Sequence, residues 1–206
     1  ESDNWGQIAV QGPKAFNLLN KVLDPKVSDL KPFHCEKFDF EGVKVIVACT
    51  GYTGEKGVEI FVPKSKTASL WRALLEKGQP ENVQAIGLGA RDTLRTEMKY
   101  SLYGHEINDQ TSPIEAGLGW VVKFDKGDFV GRDKMLEVKT NGPKRKLIGF
   151  KLLERGIPRA EYKLFSEEGE EVGFVTSGTM SPSLDEPIGI GYLRENLSAL
   201  GSNFLV

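Results

Sequence analysis

Thr50-Gly51-Tyr52-Thr53-Gly54-Glu55-Lys56-Gly57-Val58-Glu59-Ile60-Phe61-Val62 is a glycine-punctuated turn that runs into a strictly alternating strand. A period of two puts Val58, Ile60 and Val62 on one face and Gly57, Glu59 and Phe61 on the other. The first face is suited to a core. The second sets a carboxylate between an aromatic ring and a residue with no side chain.

Trp5 to Val10 alternates in the same way. Gly12-Pro13 then opens a short helix in which Ala15, Leu18, Leu19 and Val22 share a face, with Pro13 in the first turn. Phe38 to Phe40 and Val43 to Ala48 flank Glu41-Gly42, a hairpin turn between two strands. Ser65 is placed to cap a helix with the stripe Leu70, Trp71, Leu74 and Leu75, which Gly78 and Pro80 stop. A second helix is expected from about Leu88 to Met98. Strands and helices mixed in this way predict an α+β domain over residues 1–98.

Residues 99–142 read as irregular, with Ser112-Pro113, several glycines and a strand-like Trp120-Val121-Val122, and are assigned to a segment of a second α+β domain. After Asn141-Gly142-Pro143 come short strands at Leu147 to Leu152, Tyr162 to Phe165, Val172 to Thr176 and Ile188 to Leu193. Gly, Pro and Glu-rich turns separate them. Residues 143–206 are therefore expected to form a small antiparallel β-barrel.

Hydrophobic residues make up 39% of the 206 and charged residues 27%, ordinary globular usage, and no apolar run approaches a membrane span. The formal charge of -2, with basic and acidic residues interspersed, leaves no footprint for nucleic acid. Cys35 and Cys49 lack CxxC spacing, and His34 and His105 are isolated, so free thiols in a reduced compartment and no metal site are expected.

Glu59, with an open floor and the flat Phe61 wall beside it, suits a planar heteroaromatic that carries N–H donors. The plain alternative is a solvated glutamate on a half-exposed sheet. At 100° per residue Arg91 falls on the stripe of Leu88, Leu94 and Met98. A guanidinium starting from an apolar side is costly unless paired. It either faces a ligand, snorkels outward, or pairs with Asp92 or Glu97. Tyr52 either turns toward a pocket or sits in the core. The loop lacks both the Gly-Lys-Ser/Thr ending of a phosphate loop and dinucleotide GxGxxG spacing.

The stretch Thr50 to Ile60 resembles the tyrosine-to-glutamate folate motif of the aminomethyltransferases, the T-proteins of the glycine cleavage system. Gly87-Leu88-Gly89-Ala90-Arg91-Asp92-Thr93-Leu94-Arg95 resembles their arginine-bearing helix. Leu102-Tyr103-Gly104-His105-Glu106, Ser112 to Trp120, Phe129-Val130-Gly131-Arg132 and Gly178-Thr179-Met180-Ser181-Pro182-Ser183 match the family in order and spacing. The resemblance implies a C-terminal portion of a three-domain ring around a funnel that holds tetrahydrofolate, in a cytoplasmic enzyme, or one of the mitochondrial matrix in a eukaryote. It implies transfer of an aminomethyl group from the lipoyl arm of H-protein, giving methylenetetrahydrofolate and ammonia. Glu59 would then pair with the pterin N–H groups, Arg91 would fix the folate, and Tyr52 would line the site.

The family's catalytic aspartate has no counterpart between Glu1 and Val206. It is expected upstream, and a final strand with another folate-contacting arginine is expected downstream. The barrel would be incomplete. The chain by itself is then expected to be inactive, since losing a positioned acid or base costs about 10²- to 10⁴-fold. Alternatives of the same superfamily are the folate domain of a sarcosine or dimethylglycine oxidoreductase and a folate-dependent demethylase. A non-catalytic folate-binding relative is disfavoured, because Lys126-Gly127-Asp128-Phe129 stands where such proteins often carry a Lys-Gly-Cys-Tyr type of motif.

Overall fold

A computed structural model describes residues 1–206, which form two compact units, Glu1–Leu94 and Arg95–Val206. Strands β1 (Trp5–Gln11), β2 (Cys35–Phe40), β3 (Val43–Ala48) and β4 (Gly57–Pro63) belong to the first, with helices α1 (Ala15–Val22) and α2 (Thr67–Lys77). Helix α3 (Leu88–Glu97) begins in the first unit and ends in the second. The strands lie in the order β1-β4-β3-β2, every pair antiparallel. Glu41 and Gly42 join β2 to β3 with φ of 45° and 78°. Two positive values in a two-residue loop match the twist of the flanking strands.

The alternation of β4 does what its period requires. Val58, Ile60 and Val62 are fully buried and pack with Ile8, Val45, Val47, Phe38 and Phe40 against Leu18, Leu19 and Val22 of α1 and Leu70 and Leu74 of α2. Each such side chain contributes about 1.5–3 kcal/mol of burial, and together they fix which sheet face is free. Pro13 precedes α1 rather than opening it, since the Ala15 amide closes a turn onto the Gly12 carbonyl. Ser65 does not cap α2. A single 3-10 turn, Lys64–Lys66, carries the chain into the helix, and Lys66 holds the cap position without a side-chain bond. Trp71, expected within the stripe, is exposed, and the buried face of α2 is carried by Leu70 and Leu74.

In the second unit α4 (Arg132–Asn141) precedes β5 (Arg145–Lys151), β6 (Lys163–Phe165), β7 (Glu171–Ser181) and β8 (Glu186–Arg194). These are the expected strands, β7 being longer than expected, in the antiparallel order β5-β8-β7-β6. The sheet does not close: β5 and β6 are its edges. The core of this unit gathers Leu164, Val172, Val175 and Leu193, with Leu147, Ile190 and Tyr192 beside it.

Two local expectations for residues 99–142 fail. Trp120-Val121 belongs to a 3-10 turn, Gly119–Val121, and not to a strand. Helix α4 was not expected; it buries none of its residues, so no apolar stripe announces it, and Gly131 (φ 84°) and Gly142 (φ 81°) bound it. Cys35 and Cys49 are free thiols. Burial raises the Cys49 thiol above its ordinary pKa.

Candidate functional site

The uncovered face of the first sheet is built by register. Across three strands, Ala9 of β1 and Ala48 of β3 stand opposite Glu59 of β4, and one step along, Gln7 and Ile46 stand opposite Phe61. The result is a low floor with a carboxylate at its centre and an aromatic beside it. Only the Gly57-Glu59-Phe61 row was visible in the sequence. The alanines that flatten the floor come from strands paired at long range.

The half-buried Glu59 is held from two sides. Gln7 Nε2 donates to Oε1 and Thr50 Oγ1 donates to Oε2, each at 2.5 Å. A carboxylate has about four acceptor positions, so both oxygens keep capacity toward the open face. An open groove of about 390 Å³ begins one row away, bordered by Trp5, Gln7, Ile46 and Phe61, with Glu1 and Ser2 at its edge. Its volume lies within the range of small-ligand sites.

Gln11 ties the glycine-rich loop to β1. Its Nε2 donates to the carbonyls of Thr50 (3.2 Å) and Val58 (3.0 Å), and its Oε1 accepts from Thr53 Oγ1 (3.2 Å). Gly51 and Gly57 permit that approach. A Cβ on Gly51 would lie 2.2 Å from Gln11 Oε1, and one on Gly57 2.2 Å from the Val10 carbonyl oxygen.

Tyr52 follows two residues after Thr50. Its ring lies under Arg91, whose guanidinium carbon is 5.2 Å from the ring centroid. Its hydroxyl is buried with no hydrogen-bond partner. A buried hydroxyl without a partner costs about 1–3 kcal/mol, which a ligand acceptor would recover. The structure thus brings Glu59 together with Gln7 and Thr50, and Arg91 together with Tyr52. The loop Thr50 to Gly57 connects the two groups.

The burial argument for Arg91 is overturned. Arg91 is exposed, as are Leu88 (75%) and Met98 (45%), which were to form its apolar stripe. The buried face of α3 carries Arg95 and Thr96 instead. Arg95 is the desolvated arginine, and it is paired: Nη1 donates to Glu106 Oε2 (2.5 Å) and the Tyr100 carbonyl (3.3 Å), and Nη2 to Ser177 Oγ (2.7 Å). Glu106 also accepts from the Leu102 amide, Thr176 Oγ1 and Ser177 Oγ. A bulge at Thr176, the residue skipped where Val175 faces Gly191 and Ser177 faces Ile190, turns both hydroxyls onto this carboxylate. Nearby, Glu97 accepts from Ser181 Oγ and from the Ser183 hydroxyl and amide. Burial alone would raise its pKa, but these bonds outweigh burial and hold the carboxyl below its ordinary value. Both networks are internally satisfied, which makes them structural.

Residues 1–126 match the GCVT N-terminal domain, and residues 145–206 match the glycine cleavage T-protein C-terminal barrel domain. The aminomethyltransferase of Bdellovibrio bacteriovorus is 57% identical over all 206 residues, which span 57% of that protein. That of Chlorobium luteolum is 51% identical over 97% of this chain and 54% of its own length. The crystal structure of glycine cleavage system aminomethyltransferase T from Bartonella henselae superposes with a TM-score of 0.87 at 34% identity, over 97% of this chain and 54% of that one. The chain spans a little over half the length of these relatives. With both domains matched in order along nearly its whole length, the chain belongs to the glycine cleavage T-protein family.

Proposed function

We propose that the protein carrying this chain is a tetrahydrofolate-dependent aminomethyltransferase of glycine cleavage. It would take the aminomethyl group from the lipoyl arm of H-protein and yield methylenetetrahydrofolate and ammonia. The observation that carries this reading is the Glu59 carboxylate, fixed by two donors over a floor of Ala9 and Ala48. The names of the relatives favour it over a folate domain of an amine oxidoreductase.

The residues fit a reduced pterin. Its amino and ring N–H donors lie in one plane, and Glu59 offers acceptor capacity on the open side of a flat floor. Phe61 supplies an apolar wall. Tyr52 offers a buried hydroxyl in need of a partner, and Arg91 a cation for the anionic end of the folate. When bound, the folate supplies the nitrogens that take up the one-carbon unit. The residues of this chain bind and orient it.

Calorimetric titration with tetrahydrofolate tests the assignment. Glu59→Gln in the full-length protein should weaken binding by about 1.5–3 kcal/mol, the worth of a hydrogen bond to a charged group. Unchanged affinity would remove Glu59 from the site. Arg91→Ala should also weaken folate binding, with the melting temperature lowered by no more than about 4 °C, because an exposed cation over a ring contributes only about 0.5–1 kcal/mol to the fold. Release of ammonia from aminomethylated H-protein in the presence of tetrahydrofolate checks the reaction itself.

A further inference from the structure

We infer that Gln7 and Thr50 are positioning residues, which act on the folate through Glu59 and not by touching it. The inference rests on the folate reading above and goes further, because it identifies what makes one glutamate on an open sheet face a directional acceptor.

A glutamate side chain has three free torsions, and on a half-exposed strand nothing intrinsic fixes its carboxylate plane. Here each oxygen is tethered by a different donor from a different element: Gln7 from β1, and Thr50 from the loop after β3. Gln7 reaches Glu59 on the diagonal of the β1–β4 ladder, since the residue directly opposite Glu59 is Ala9. Thr50 is itself held on two sides, its amide donating to the Ala48 carbonyl at 2.8 Å and its carbonyl accepting from Gln11 at 3.2 Å. The two tethers fix the rotation of the carboxylate, and the acceptor capacity that remains is presented in one plane. A planar ligand with two adjacent N–H donors needs that preorganisation, because a rotating carboxylate would lose the freedom on binding.

The experiment is calorimetric titration of tetrahydrofolate into the full-length protein and its Thr50→Val, Thr50→Ser, Gln7→Met, Glu59→Gln and Thr50→Val/Glu59→Gln variants, with a thermal melt of each. Thr50→Val and Gln7→Met should each weaken binding by roughly tenfold, the scale of one charge-assisted hydrogen bond. Thr50→Ser, which keeps the hydroxyl, should restore affinity to within about twofold of the unsubstituted protein. In the Glu59→Gln background Thr50→Val should add almost nothing, since a residue that acts through another has no effect once that one is disabled. A full tenfold effect in that background, or no rescue by serine, overturns the inference and makes Thr50 a general structural residue. If Glu59→Gln weakens binding while Thr50→Val and Gln7→Met do not, the positioning role alone fails. If the unsubstituted protein does not bind tetrahydrofolate, or Glu59→Gln leaves binding unchanged, the folate reading fails and takes the inference with it.

Discussion

Replacing Arg95 by Met keeps an unbranched stem in the space and removes only the guanidinium. Arg95 and Glu106 both have no exposed surface, and the lost group donates to Glu106, to the Tyr100 carbonyl and to Ser177. Glu106 would keep the Leu102 amide, Thr176 and Ser177 as donors, but not its counter-charge. Breaking one side of a buried pair costs about 3–5 kcal/mol, and the retained donors place this case near the lower end, about 3 kcal/mol. At roughly 2–4 °C per kcal/mol for a chain of this size, the melting temperature should fall by about 6–12 °C. Scanning calorimetry at neutral pH measures it. The double variant Arg95→Met/Glu106→Leu carries no buried charge and should recover part of the loss. A fall under about 3 °C in the single variant, or a double variant that loses the full sum of both single effects, would refute the structural role of this buried pair.

The parts of the fold that were legible in the sequence are those set by local period. The faces of β4, the buried stripe of α1 and the Glu41-Gly42 hairpin each follow from neighbours within one element, so the residues alone decide them. The Glu59 face was legible for the same reason. What surrounds Glu59 was not. That Ala9 and Gln7 stand beside it depends on β1 pairing with β4 across some fifty residues, and register at that range leaves no mark on either strand alone. The reading of α3 failed on a different point. Periodicity groups Arg91 with Leu88 and Met98, but the face that was buried is the polar one, because Arg95 finds a complete set of partners in Glu106, Tyr100 and Ser177. Burial of a charge is decided by the partners that tertiary structure brings to it, which a helical wheel does not contain. Helix α4 escaped because it buries nothing, and the bulge at Thr176 because one skipped residue in a strand looks like any other.

Three further outcomes are expected. Gly57→Ala would set a methyl 2.2 Å from the Val10 carbonyl oxygen and 2.8 Å from the Gln11 Cα. Backbone must move, so urea denaturation should show a loss of about 1–3 kcal/mol, with weaker folate binding because the same strand carries Glu59. Gly42→Ala meets no atom within 4 Å, but its φ of 78° disfavours a side chain, so the loss should be about 1 kcal/mol with folate affinity unchanged. The last concerns alkaline pH. The pKa of Tyr192 is pushed from 10.0 up to about 12 by burial first and then by the charge of Glu115, with Arg145 opposing and Glu106 adding to the rise. Its hydroxyl donates to the Glu106 carbonyl at 2.8 Å, a bond that only the neutral phenol can make. Because the folded value lies above the unfolded one, the folded state holds the proton more tightly. The stabilisation is therefore complete below pH 10 and is lost as pH rises from 10 toward 12. Urea midpoints of the unsubstituted protein should accordingly fall more steeply between pH 9 and pH 11.5 than those of Tyr192→Phe, which has no proton to lose and starts lower by about 1 kcal/mol. The comparison cancels the titration of the other tyrosines and of the lysines, which both proteins share. Parallel pH profiles for the two would mean that the Tyr192 phenol ionises as it does in water, and that the packing around it does not exclude the charge.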